Sequence, residues 1–291
     1  MPFGIPVFSI FYSSMKITDV EFQLLRDYIE EQCGICLNKD KTYLLENRLS
    51  SLIEFYKCKD FSEFYYIVKC GDRELKDKLL DAMTTNETLW FRDTHPFSIL
   101  SEKILPSFAQ AVKEGKKDKI KIWSAASSTG QEPYSIAITV RDFCMRQNII
   151  QKNMVQIIAT DISDSCLAKA RIGKYDSIAM NRGVTPEQLN RYFVKESFNY
   201  ILNQEIRDMV RFQKFNLQEN PVILEPHFDL IFMRYVAIYF SDQFKKGLYS
   251  RLARVLSPKG FLVIGAVETL RGVSEDFDML SHGGGLYYQC K

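Results

Sequence analysis

The feature that most constrains this chain is a change of apolar period near Lys119. Before it, apolar residues recur only at helical spacing. Thr18-Asp19-Val20-Glu21 has the form of a capping box, and Val20, Leu24, Leu25 and Tyr28 follow on one helical face, with Gly34 placed to end the helix. A second helix is expected from Lys41 to Tyr56, carried by Leu44, Leu45, Leu49, Leu52 and Ile53, with shorter ones around 61–68 and 73–83. After Lys119 short apolar runs at 119–124, 155–160, 210–213, 228–232 and 261–265 alternate with helical patterns such as 133–145 and 163–171. Alternating strands and helices predict an α/β fold, a parallel sheet covered on both faces. The expected division is a helical domain with its linker over 15–90 and the sheet domain over 91–291. A small β-hairpin insert is expected at about 191–213.

Composition excludes several classes. Hydrophobic residues make up 46% and charged residues 25%, with a net charge of +2, so the chain has no electrostatic footprint for nucleic acid or an anionic membrane. The lysine-rich stretch 113–121 reads as a solvated loop before the first strand. Seven cysteines at irregular spacing suit a reducing cytoplasm rather than a disulfide framework. Cys33 and Cys36 form one C-x-x-C pair, but a zinc site needs two more ligands, so no metal is expected. Residues 1–12 are apolar without a basic start and read as a tail rather than a signal peptide. No uncharged apolar run is long enough to span a bilayer, so no stable membrane insertion is expected.

Four segments carry candidate chemistry. The first strand ends in Trp123-Ser-Ala-Ala-Ser-Ser-Thr-Gly130-Gln-Glu132, a run of small residues that lets backbone approach a ligand closely. It lacks the lysine of a phosphate-cradling loop. The second strand ends in Asp161, placed to accept hydrogen bonds from ribose hydroxyls, or else to cap the following helix. Loop and acid on successive strands favour an adenosine-type ligand. Ahead of the sheet, 84–93 sets Asn86 and Thr88 beside Trp90, Phe91 and Arg92, whose planar fork suits a carboxylate. A later strand ends at Arg234.

Together these segments resemble the CheR family of chemotaxis-receptor methyltransferases over nearly the whole chain after residue 15. The family pattern T-x-N-x-T-x-F-F-R is matched by Thr84–Arg92 with Trp90 for the first phenylalanine, and W-S-A-x-x-S-T-G-x-E-P-Y-S by Trp123–Ser135. A-T-D-I is met by Ala159–Ile162, F-x-x-x-N-L by Phe212–Leu217, and F-x-R-N-V-x-I-Y-F at most positions by Phe232–Phe240. Gly265-Ala-Val-Glu268 matches a G-E-like turn. The resemblance implies a Rossmann-like class I methyltransferase sheet behind an all-helical domain. It also implies S-adenosylmethionine as cofactor, and a methyl-accepting chemoreceptor cytoplasmic domain, not nucleic acid, as partner. By the same resemblance Asn86, Thr88, Arg92, Glu132, Asp161, Asn216, Leu217, Arg234 and the residue after it contact the cofactor. Free glutamate ionises with a pKa of about 4.3, so the acceptor needs no general base. Arg92 and Arg234 are candidates to orient it, and Tyr239 to line the transfer site.

One position departs from the pattern. Where the family has asparagine this chain has Tyr235, which lacks the amide's paired donor and acceptor. Ala237 stands where leucine or methionine is usual, suggesting repacking around the tyrosine ring. Two other readings therefore stand beside the receptor methyltransferase: a non-catalytic S-adenosylmethionine-binding sensor or scaffold, and a methyltransferase with another acceptor. The insert is short, which argues against tethering to a receptor tail peptide.

Overall fold

The computed structural model describes residues 15–291, so the amino-terminal segment read as a tail lies outside the described residues. The chain forms two compact units, and residues 32–36 pack with the second.

The first unit is helical. It holds most of α1 (Asp19–Cys33), then α2 (Thr42–Phe55), α3 (Phe61–Cys70) and α4 (Arg73–Met83). The capping box is formed: Glu21 N–H donates to Thr18 Oγ1 at 3.3 Å, and Thr18 N–H donates to the Glu21 carboxylate at 2.8 Å. Glu21 also accepts from Ser62 N–H at 3.0 Å, so one side chain secures the start of α1 and the first turn of α3. Of the apolar residues read from the sequence, Leu25, Tyr28, Leu45, Leu49 and Ile53 are buried while Val20 is exposed, and Phe61, Phe64, Val68 and Leu79 are buried besides.

The second unit begins with a helical run absent from the sequence reading. It comprises α5 (His95–Ile99), a π turn at Leu100–Ile104 and α6 (Leu105–Lys113). The sheet follows: β1 (Ile120–Ala125), α7 (Gln131–Arg146), β2 (Val155–Asp161), α8 (Asp164–Ile172). An insert then supplies β3 (Lys174–Asp176), α9 (Ser177–Met180), α10 (Pro186–Tyr192), β4 (Phe193–Glu196) and β5 (Asn199–Leu202). After it come α11 (Gln204–Arg207), β6 (Val210–Lys214), β7 (Phe228–Met233), α12 (Asp242–Val255), β8 (Leu256–Val263), β9 (Phe277–His282) and β10 (Gly285–Cys290).

The main sheet runs β6-β2-β1-β7-β8-β10-β9, with β6 to β8 parallel and β10 antiparallel to both its neighbours. This is the Rossmann-like α/β architecture expected. Strand β1 alternates its side chains between two cores: Ile120 and Ile122 face the layer of α5, α6 and α7, while Trp123 and Ala125 face that of α12. The strand order reverses at β1, which opens a crevice at the carboxyl ends of β1 and β7.

Two sequence readings change. The stretch 113–121 is not simply solvated: Lys117 pairs with buried Asp229, Lys121 pairs with Glu225, and Lys121 N–H donates to Asp229 at 2.8 Å. These contacts tie the start of β1 to β7, and no spacing along the chain announces a partner a hundred residues away. The insert also differs from the span 191–213. Its hairpin β4–β5 pairs with the earlier strand β3, whereas 210–214 is the edge strand of the main sheet.

The insert holds the linker that precedes α5. Trp90 stacks with Tyr134 of α7 and meets Tyr175 of β3 and Phe193 of β4 edge-on, at centroid distances of 6.5, 5.0 and 5.1 Å. Gly183 has φ +106°, and a Cβ there would lie 1.9 Å from the Trp90 carbonyl oxygen. Gly183→Ala is therefore expected to cost at least the roughly 1–3 kcal/mol of a strained backbone residue. A melting temperature equal to wild type would show that this approach is not needed.

Candidate active site

The site is built where backbone strain concentrates. Ala126 and Ser128, in the loop after β1, have φ of +57° and +49°, and Gly130 has +95°. In the linker, Phe91, Asp93 and Thr94 have φ of +46°, +68° and +49°, and Tyr235 after β7 has +58°. Non-glycine residues rarely adopt this region, and those that do are held there by their surroundings.

Asp161 holds the loop after β1. Its carboxylate accepts Ser128 N–H at 2.7 Å and Ser163 N–H at 2.9 Å. The alternative reading, that Asp161 caps α8, is wrong: the cap is Ser163, whose Oγ accepts Cys166 N–H at 3.0 Å. Tyr175 of the insert also braces this loop, donating its hydroxyl to the Thr129 carbonyl at 2.9 Å. From the linker, the Asn86 carbonyl accepts the Ser128 hydroxyl at 2.8 Å. Among the described residues, Ser127 Oγ is buried with no hydrogen-bond partner.

Arg234 ties the linker to the sheet. Its side chain is 1% exposed and donates to Glu132 of α7 at 2.9 Å, to Asp93 at 2.7 Å and to the Arg92 carbonyl at 2.8 Å. Glu132 also accepts the Ser124 hydroxyl at 2.8 Å. Burial alone would raise the Asp93 carboxyl, but the Tyr235 hydroxyl and the Arg234 charge together hold it below its usual range. The Tyr235 hydroxyl is itself pushed up, by burial and then by Asp93, and stays a donor.

The two arginines named from the sequence thus differ. Arg234 donates through both terminal nitrogens to α7 and the linker. Arg92 is half-buried, with its guanidinium 3.6 Å from the centroid of the Tyr235 ring. It makes one marginal hydrogen bond, 3.5 Å to the Glu87 carbonyl, and no ion pair among the described residues. Its planar fork is held face-on while its donors stay largely unused.

Asn216 and Leu217 follow β6 beside Asp161, since Phe215 N–H donates to the Asp161 carbonyl at 3.0 Å. Asn216 donates its amide to the Gln32 carbonyl at 2.7 Å, and Leu217 is buried in the core of the α12 layer. Thr88 lies half-buried on the linker. Tyr239 packs against the same core as Leu217, and its carbonyl accepts Cys36 N–H at 2.8 Å. Ala237 is buried in that core too. Room for the Tyr235 ring comes instead from Gly265, where a Cβ would lie 3.2 Å from two of its atoms. Burial pushes the Cys33 thiol up to about 11, which keeps it protonated at neutral pH. Asp93 and Ser127 were not singled out from the sequence. Neither their residue types nor their spacing marks them, because their partners are brought in by the fold.

Comparison with known proteins now decides the family. Residues 20–84 match the all-alpha domain of the CheR methyltransferases, and residues 86–284 match the S-adenosylmethionine-binding domain. The chain belongs to the CheR methyltransferase family. It is similar to chemotaxis protein methyltransferase Cher2 of Pseudomonas putida, 40% identical over 280 residues that cover 95% of this chain and all of that protein. A chemotaxis protein methyltransferase of Vibrio parahaemolyticus is 40% identical over 96% of this chain and all of that protein. That of Salmonella typhimurium is 29% identical over 91% of this chain and 89% of that protein. The cofactor of this CheR-family chain is S-adenosylmethionine. The donor set fits it: an unpartnered buried hydroxyl at Ser127, a small-residue loop, and a strand-end carboxylate at Asp161. No helix among the described residues is long and apolar enough to cross a membrane.

Asp161→Ala removes the acceptor of two N–H groups, that of Ser128 in the loop after β1 and that of Ser163 after β2. It is expected to weaken binding of the demethylated cofactor by at least about 10-fold, the scale of one to two charged hydrogen bonds. Calorimetry giving wild-type affinity would remove Asp161 from the site.

Proposed function

We propose that this CheR-family methyltransferase transfers the methyl group of S-adenosylmethionine to glutamate carboxylates on the cytoplasmic domain of a chemoreceptor. The observation that carries the reading is Arg92. A guanidinium with unused donors, stacked on an aromatic ring beside a strand-end crevice, matches a carboxylate bidentately.

In this reading Asp161 and the loop 126–130 hold the adenosine, and Ser127 offers its hydroxyl to the polar tail. Asn86 and Thr88 contact the cofactor from the linker, and Asn216 and Leu217 flank the adenine. Glu132 and Arg234 line the same cleft. The bound cofactor supplies an electrophilic methyl carbon. The acceptor is already ionised at neutral pH, so the chain does not need to remove a proton. Its task is alignment and the exclusion of water. Arg92 fixes the acceptor carboxylate, Arg234 fixes the backbone of Arg92, and Asp93 and Glu132 compensate the buried charge of Arg234. The net charge of +2 supports a protein acceptor over nucleic acid.

The test uses labelled cofactor with purified receptor cytoplasmic domain. Wild-type protein incorporates label into the receptor. Arg92→Ala lowers that rate by about 100-fold, the scale of losing a positioning group, with affinity for the demethylated cofactor within roughly 3-fold. Equal losses of rate and cofactor affinity would assign Arg92 to the cofactor instead. Cofactor binding without transfer to any receptor would leave a sensor or scaffold, and label in DNA alone would identify another acceptor.

A further inference from the structure

Tyr235 is a costly residue for its place. At φ +58° an asparagine or glycine is at ease, while a bulky side chain is strained. Such a conformation persists only where neighbours over-determine it. Three independent contacts do so here. The Tyr235 N–H donates to the Glu268 carboxylate at 2.8 Å, and Glu268 also accepts Gly265 N–H at 2.7 Å. The Tyr235 hydroxyl donates to Asp93 at 2.5 Å. The Arg92 guanidinium lies on the ring. Gly265 leaves the ring its space.

The ring reaches two consecutive linker residues, with its face to Arg92 and its hydroxyl to Asp93. Among the described residues Arg92 makes no ion pair, so the ring, its centroid 3.6 Å from the guanidinium carbon, is the group that sets the direction of the fork. From this geometry we infer that Tyr235 is a positioning residue for the acceptor: its ring orients the Arg92 guanidinium for the substrate carboxylate. The inference rests on the acceptor role given to Arg92 above. It assigns the departure from the family asparagine to substrate alignment rather than to loss of activity.

Tyr235→Asn suits the left-handed backbone and is expected to fold. It lowers kcat/KM for the receptor domain by about 10-fold, the scale of a partly desolvated cation–π contact, and leaves KM for the methyl donor unchanged. Tyr235→Phe keeps the platform and loses only the hydroxyl, so it retains most of the rate, within roughly 3-fold of wild type. The deciding measurement is the double variant with Arg92→Ala. If Tyr235 acts through Arg92, Arg92→Ala/Tyr235→Asn is no slower than Arg92→Ala alone. Multiplying losses, a raised donor KM in Tyr235→Asn, or equal damage from Phe and Asn would each overturn the positioning role while the acceptor reading stands. An Arg92→Ala variant with wild-type receptor kinetics would overturn both.

Discussion

The buried guanidinium of Arg234 is the constraint around which the sheet unit is organised. A charge 1% exposed is tolerable only when paired and hydrogen-bonded. Here the partners come from two places in the sequence: Glu132 at the start of α7, and the linker, through the Asp93 carboxylate and the Arg92 carbonyl. The network therefore fixes the linker against the carboxyl ends of β1 and β7. Removing either carboxylate strands charge in the interior, a change that typically costs about 3–5 kcal/mol. Arg92, over the Tyr235 ring, is the member of this cluster whose donors stay largely unused.

The strained residues make sense in the same terms. Positive φ values at Ala126 and Ser128 bend the loop so that the Ser128 N–H reaches Asp161. Those at Phe91, Asp93 and Thr94 turn the linker so that the Asp93 carboxylate and the Arg92 carbonyl both meet Arg234. Both segments are braced by the insert, through the Tyr175 hydroxyl on one and Trp90 on the other. The small sheet thus does structural work at the site, independently of any partner it docks.

Much of this was legible in the sequence because it is encoded locally. The capping box at Thr18, the change of period at Lys119, the small-residue loop and the acid ending β2 depend on neighbours a few residues apart. What escaped depends on distant groups. The helical run 95–113 lacks a clean amphipathic start and passes through a π turn. The hairpin β9–β10 alternates buried and exposed residues too weakly on β9 to stand out. Asp93 is unremarkable until the fold brings Arg234 and Tyr235 to it. Tyr235 itself stood out as a departure, but its meaning lies in the backbone angle and the Arg92 stack, which composition does not express.

The proposed reaction yields a carboxyl methyl ester, with the acceptor held in line by Arg92 and no proton transferred. The most direct measurement is the fate of label placed on a receptor domain by the purified protein. The account predicts that mild alkali releases it as volatile methanol and that peptide mapping before release finds it on glutamate. Label that survives alkali, or that maps to an amine, thiol or nucleobase, would contradict the central claim.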